Sequence, residues 1–307
     1  MRAAAALALA ALMLVAVTPG VAGGPSSVVA VRSPSFVAGG LQPPGREQTP
    51  LDTARADLQR RRDALVREYN LETQRPRLDA YARTAVVALR DPAIARQEPI
   101  GRLPFVAGTR REFLERTAAF VADRLGVRLS SFTVKFSRLP KGTAGRVRLV
   151  GNGASVAVAD RHRDDDEEIF AIVAHEFAHI VLETPGSGVT EAGADDEDLA
   201  DATVVMAGVG PLLLRASYRE GISVSGNKAE WNVRRTGSLN PVAIAYLTLV
   251  QAELADLGEE ARRSLIGDWL EPAWSVREEA RRQKPAASGQ KQAFPQPLAP
   301  GPQHLVQ

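Results

Sequence analysis

The chain has 307 residues, of which 24% are charged and 45% apolar, enough for one large domain or two small ones around a sizeable core. Fibrous, collagenous and wholly disordered chains are excluded, and a formal net charge of +2 predicts no nucleic-acid partner, which calls for a larger cationic excess on one face. Cysteine is absent, which removes disulfides, thiolate metal sites and any thiol nucleophile, so a site that needs imidazole must draw on His162, His175, His179 and His304.

Residues 1–24 begin with Arg2, continue through an uncharged apolar run over 3–17, break at Pro19-Gly20 and end in small residues. This layout predicts a secretory signal peptide over 1–23, with an uncleaved anchor as the alternative. The run is shorter than the roughly 20 residues that a spanning helix needs, and no later stretch reads as a span. The mature chain is therefore expected to be secreted or retained in the periplasm or cell envelope, with no membrane span. Residues 24–50, rich in Gly, Pro and Ser, read as a flexible linker.

An N-terminal helical region is expected over 51–107. Thr49-Pro50 starts a helix whose apolar positions run from Leu51 to about residue 73, with Arg60, Arg61, Arg62 and Arg67 on a solvated face. A second helix covers Leu78 to Leu89 and stops before Asp91-Pro92. From residue 108 to 275 a second region is expected. Thr109-Arg110-Arg111-Glu112 is a capping box, and the helix it opens ends at Gly126. The period then changes from helical to alternating. Thr133–Ser137, Arg146–Val150 and Ala154–Val158 read as strands, the last two joined as a hairpin across Gly151-Asn152-Gly153.

Residues 164–182 read DDDEEIFAIVAHEFAHIVL. The acidic run suits the positive end of a helix, and the apolar residues around it predict a buried one. His175 and His179 stand at i and i+4, on one side of that helix, where their ring nitrogens can reach a single ion. Glu176 stands one residue on. Its carboxylate then lies beside the ion, where a general base can take a proton from water. Bare hydrogen bonding of two buried imidazoles is the plainer reading, but burying them with a glutamate and no partner is unfavourable.

His175-Glu176-Phe177-Ala178-His179 resembles the HExxH helix of zinc metallopeptidases. Their gluzincin branch takes a third ligand from the Glu of a Glu-x-x-x-Asp pattern on a following helix. Glu197-Asp-Leu-Ala-Asp201 matches it. The resemblance, which covers about residues 150 to 215 and is similar to M48 peptidases and minimal gluzincins, implies Zn2+ held by His175, His179 and Glu197. It also implies that Asp201 takes the spare ring N–H of His175. Glu191-Ala-Gly-Ala-Asp195 spells the same pattern, but Gly193 and the nearby Gly186 and Gly188 weaken a helix there, so Glu197 is preferred. His162 reads as a surface residue.

The implied fold is α+β and zincin-like, a small twisted sheet packed on the HExxH helix and the ligand helix, with further helices at both ends. The implied function is an exported zinc metalloendopeptidase acting on peptide or protein substrates, with Glu176 as the catalytic base. A strand at Ser155–Val158 takes the place of the substrate-binding edge strand of gluzincins. Tyr218, Arg219, Tyr246 and His304 are the conceivable oxyanion donors, of which Tyr246 is better placed to pack in a helix over Val242–Leu254. An exported zinc-binding protein with a structural or adaptor role is the alternative. Residues 276–307 are expected to form a Pro- and Gln-rich disordered tail.

Overall fold

In the computed structural model, which describes residues 49–283 except 191, 192, 194, 195, 226 and 227, the chain starts with the capped helix that Thr49 predicts. The Thr49 hydroxyl accepts the Asp52 amide and the Asp52 carboxylate accepts the Thr49 amide, each at 3.2 Å, at the head of α1 (Pro50–Tyr69). The expected signal segment, the linker up to residue 48 and the tail from residue 284 lie outside the described residues, as do Glu191 and His304.

The apolar spacing predicts one helix to about residue 73, but α1 stops at Tyr69. Asn70 turns the backbone left-handed at φ 46°, and its side chain accepts the Thr73 amide at 3.3 Å. It thereby caps α2 (Leu71–Ala88), which starts a full two turns before Leu78. A short turn of helix, α3 (Pro92–Ala95), leads to α4 (Arg110–Arg124). There the Thr109 hydroxyl accepts the Glu112 amide at 3.1 Å, while the Glu112 carboxylate reaches one residue further back than a capping box requires, to the Gly108 amide at 2.9 Å.

The three strands fall where the alternation places them, as β1 (Ser131–Ser137), β2 (Gly145–Val150) and β3 (Gly153–Ala159). Their order is β1-β3-β2, with β2 antiparallel and β1 parallel to β3. One expectation fails here. β3, which holds Ser155–Val158, is paired on both sides and is the central strand, so it cannot be the edge; β2 is the edge on its side.

The sheet lays Ala154, Val156 and Val158 on α5 (Asp166–Glu183), the helix that carries His175 and His179. Asp165 caps it by accepting the Glu168 amide at 3.0 Å, and Asp166, Glu167 and Glu168 fill its first turn. Ile169, Phe170, Val173, Ala174, Phe177 and Ala178 are all fully buried, because the sheet covers one side of α5 and helices cover the rest. Those helices are α4, α6 (Glu197–Val204) and α7 (Gly210–Ser217), the last two joined by a π-turn over Val205–Val209. The stretch Glu197–Ser217 has the length and composition of a membrane span, contrary to the expectation from the sequence, yet 94% of its most apolar window is buried inside the fold.

A two-stranded hairpin comes next, β4 (Tyr218–Ser225) and β5 (Lys228–Arg235), and it packs on α1. The sequence analysis does not predict this hairpin, although Gly226-Asn227 between two alternating runs is its signal. Arg62, expected on a solvated face, instead reaches Glu220 of β4 with two hydrogen bonds at 2.6 and 3.1 Å.

The helical end comprises α8 (Pro241–Leu254), capped by Asn240 at 2.9 Å from the Val242 amide, then α9 (Glu259–Ser264) and α10 (Leu270–Gln283). The boundary expected at 275 is too early. Val276 and Arg277 are buried, and Arg277 holds Glu253 of α8 with hydrogen bonds at 2.5 and 3.0 Å. Nor do residues 51–107 stand apart from the rest of the fold. Leu71 and Leu78 of α2 belong to the same core cluster as Phe170 of α5 and Tyr246 of α8. The result is an α+β fold, a three-stranded mixed sheet on one side of α5 and helices on the other.

Candidate metal centre

α5 is helical through residues 175–179, so it projects His175 and His179 from one side with their ring planes at 77° to each other. α6 supplies the third group. Its N-cap is Asp196, whose carboxylate accepts the Asp198 and Leu199 amides at 3.0 and 3.1 Å, and this stop fixes Glu197 as the first residue of the helix. The second carboxylate oxygen of Asp196 accepts the Tyr81 hydroxyl at 2.8 Å, tying the cap to α2.

His175, His179 and Glu197 converge and can hold one metal ion. His175 Nε2 lies 3.2 Å from His179 Nε2 and 2.7 Å from Glu197 Oε2, and His179 Nε2 lies 3.8 Å from the same oxygen. Three atoms placed about 2.0–2.1 Å from a tetrahedral ion stand about 3.3 Å apart, so this triangle has the size such an ion requires. Two imidazole nitrogens at 3.2 Å share at most one proton, so they are not explained as a pair of mutual hydrogen bonds.

Asp201 stands behind His175. It is fully buried, and its Oδ1 lies 2.8 Å from His175 Nδ1 while its Oδ2 accepts the Ser238 and Leu239 amides at 2.8 and 3.0 Å. A carboxylate held by two amides accepts the Nδ1–H of the ring and leaves the Nε2 lone pair facing the triangle. The amides come from the loop after β5, where Gly237 has φ +90° and a Cβ would stand 3.1 Å from Asp201 Oδ2. With no ion bound, burial opposes charge on His175, but hydrogen bonds to Asp201 and Glu197 and their charges outweigh it, raising its pKa to about 10. Glu197 is held below the usual carboxylate range, chiefly by its hydrogen bond to His175.

Glu176 does not join the triangle. It is buried against β2, where a hydrogen bond with the Val147 backbone holds it. A Cβ at Gly145 would come within 2.5 Å of Glu176 Oε1 and 2.6 Å of Ile172 Cγ2, so only glycine lets the strand lie this close. Burial pushes the Glu176 carboxyl above its usual value, against the pull of His175 and His179. A carboxyl beside the paired histidines and open to the cleft can take and return a proton.

A cleft of about 610 Å³ opens over these groups, lined by Gly145–Val147 of β2 on one hand and Thr236–Ser238 on the other. The sequence motifs single out His175, Glu176, His179, Glu197 and Asp201, and all five line this cleft. They do not single out Gly145, Val147 or the Gly237–Leu239 loop. A glycine beside an alternating strand and one just past a hairpin are the only marks those positions leave.

Of the suggested oxyanion donors, Tyr218, Arg219 and Tyr246 do not line the cleft, and His304 lies outside the described residues. Tyr246 is fully buried and donates to Asp79 at 2.8 Å, Arg219 is engaged by Asp165 and Glu167 of α5, and Tyr218 packs edge to face on Trp269 at 5.1 Å. Besides the two histidines, Thr143, Thr236 and Ser238 are donor-bearing residues that do. His162 is not the surface residue expected. It is mostly covered, and its Nδ1 sits 2.7 Å from Glu168, a glutamate that the fold buries almost completely. Comparison of the chain with protein families, with curated proteins and with solved structures finds no match.

Proposed function

We propose that this chain is an exported zinc metalloendopeptidase with a zincin-like fold of the gluzincin kind. The observation that carries the reading is the convergence of His175, His179 and Glu197 on one point, with Asp201 behind one ligand and Glu176 beside the others at a cleft wall. Zinc held there would acidify water and polarise the scissile carbonyl.

The chain's own groups do the rest. Glu176 accepts the proton of the attacking water and hands it to the leaving amine. Asp201 keeps the His175 tautomer that leaves Nε2 free to ligate. β2, as the free edge beside the cleft, offers backbone groups to an extended substrate, which can add to it as a further strand. The apolar opening segment of the sequence accounts for export.

The test combines metal analysis of the purified mature protein with hydrolysis of a broad peptide library. About one zinc per chain and cleavage by the wild type are expected. Glu176→Gln should keep zinc and fold and lose at least ~10²-fold in rate. Zinc bound without any cleavage by the wild type would favour the non-proteolytic, structural or adaptor role. Cleavage undiminished in Glu176→Gln would refute the assignment of the base.

A further inference from the structure

The face of the three-stranded sheet turned away from α5 carries an unusual set of side chains. Lys135 of β1 and Arg146 and Arg148 of β2 are all exposed there. None of the three side chains has an ion pair or a hydrogen bond among the described residues. Cross-strand register sets Lys135, Ala157 and Arg146 in one row, and Thr133, Ser155 and Arg148 in the next. In these two rows the central strand therefore contributes only small side chains, and among the described residues of the sheet none covers the charges. Arg146 is also among the residues that line the cleft, so this face borders the site.

The backbone of β2 shows how a chain would meet this face. Val150 pairs with Gly153 at the hairpin turn, and alternate pairs exchange hydrogen bonds. Arg148 and Arg146 thus bond to β3, whereas Gly145, Val147 and Leu149 direct their N–H and C=O groups to the free edge. The Val147 N–H already donates to Glu176, so an added strand would use the Val147 carbonyl and the N–H and C=O groups of Gly145 and Leu149. In a strand added along this edge, residues opposite Arg146 and Arg148 project to the same outer face, with Cβ atoms about 5 Å away. The residue between them, opposite Val147, projects to the inner face, toward α5 and the cleft.

We infer that β2 selects extended peptide segments with an acidic side chain on each side of the residue that faces the cleft, Arg146 and Arg148 pairing with the two carboxylates. Lys135, in the row of Arg146, adds to the attraction from across β3. This assignment of substrate class rests on the proposed peptidase reading and deepens it. Positive charge on the outer face and an acidic metal site on the inner one give the two faces of a docked strand opposite requirements.

The experiment uses the full chain, zinc-loaded, as Glu176→Gln, so that bound peptide is not consumed. Three fluorescein-labelled decapeptides are compared by anisotropy at low salt. One has Glu at alternate positions, one has the same composition with its Glu residues contiguous, and one has Lys in place of each Glu of the first. The alternating-Glu peptide should bind at least ~10-fold tighter than its Lys counterpart and ~2-fold or more tighter than the contiguous isomer. Arg146→Gln and Arg148→Gln should each weaken its binding about 2- to 5-fold, as exposed ion pairs do, and leave the Lys peptide no weaker. Arg146→Lys and Arg148→Lys keep the charge and should keep the preference, which separates charge from folding damage.

Equal binding of all three peptides, or no response to the Arg→Gln changes, would overturn the inference. Equal binding of the alternating and contiguous isomers would reduce the face to a general anion patch and overturn the register claim. Capture of phosphatidylglycerol vesicles that depends on Arg146 and Arg148, with no discrimination among peptides, would assign the face to a lipid surface and overturn it too. Cleavage by the wild type with no preference for flanking acidic residues refutes this inference alone. Patterned binding with no cleavage of any peptide refutes the peptidase reading alone and leaves the peptide-binding face standing.

Discussion

His175 and Glu176 are adjacent in sequence, and the fold gives them opposite tasks. His175 stands between two carboxylates, with Asp201 on one ring nitrogen and Glu197 near the other. If zinc binds there as proposed, protonation of His175, whose pKa is raised from 6.5 to about 10 in the ion-free chain, competes with it. Binding at pH 7 should release about one proton, so apparent affinity should rise with pH; calorimetry in buffers of different ionisation enthalpy measures it. Without zinc the sign reverses. The charged His175 contributes stability that is fully present below pH 6.5 and is lost as pH climbs through about 10. Asp201→Asn should weaken zinc affinity ~10- to 100-fold, read by competition with a chelator. Glu176 depends on a neighbour with no side chain. Gly145→Ala puts a Cβ within 2.5 Å of its Oε1, so on the proposed peptidase reading any bound zinc should persist while turnover falls by up to about 10²-fold.

At the scale of elements, the site is an agreement between the cap of α6 and the loop after β5. Asp196 starts α6 with two amide hydrogen bonds, which places Glu197 one residue on. Asp196→Ala should cost about 1 kcal/mol of stability, as lost N-caps do, and Asp196→Ser, which restores the acceptor, should recover most of it. Thermal unfolding of the zinc-free and zinc-loaded forms checks both. The variant should also bind zinc less tightly, because a frayed first turn no longer fixes the carboxylate that the ion needs. The loop side of the agreement is Ser238, whose amide holds Asp201 while its hydroxyl donates to Asp198 at 2.8 Å. One loop thereby sets both faces of the first turn of α6.

For the whole molecule, the N-terminal helices are part of the core rather than an appendage. Leu71, Leu78, Ala82 and Ala85 of α2 are buried in the cluster that holds α5 and α8. A chain that begins at residue 108 should therefore fail to fold cooperatively, seen as loss of a sharp thermal transition and rapid proteolysis. At the other end, Glu253 is half-buried, which favours its neutral form, but Arg277, with Arg281 and Arg262, outweighs that and holds its pKa below 4.5. Its ion pairing contributes stability above pH 4.5 that is lost as pH falls through the lower folded value. Acid titration of the melting temperature should show that loss in the wild type and a shallower one in Glu253→Gln.

Local chemistry is legible without the fold. Thr49, Thr109 and Asn240 cap helices with their own side chains, alternation over 131–159 marks the strands, and two histidines four apart mark one side of a helix. These signals act within a few residues, so the sequence by itself carries them. The His175 and His179 pair is readable from its i, i+4 spacing, whereas Glu197 and Asp201 are reached only through the resemblance to gluzincins, with Gly193 weighing against the rival Glu191 and Asp195. What only the tertiary structure decides is pairing at a distance. β3 lies in the centre and β2 at the edge because β1 joins from the far side in parallel, and no local period encodes that choice. Asn70 divides α1 from α2 although the apolar spacing runs through it, Arg62 turns inward to Glu220, and His162 is covered by Glu168. Gly145 and Gly237 matter only through what a side chain there would strike, Glu176 in one case and Asp201 in the other. A missing side chain has no signature until its neighbours are in place.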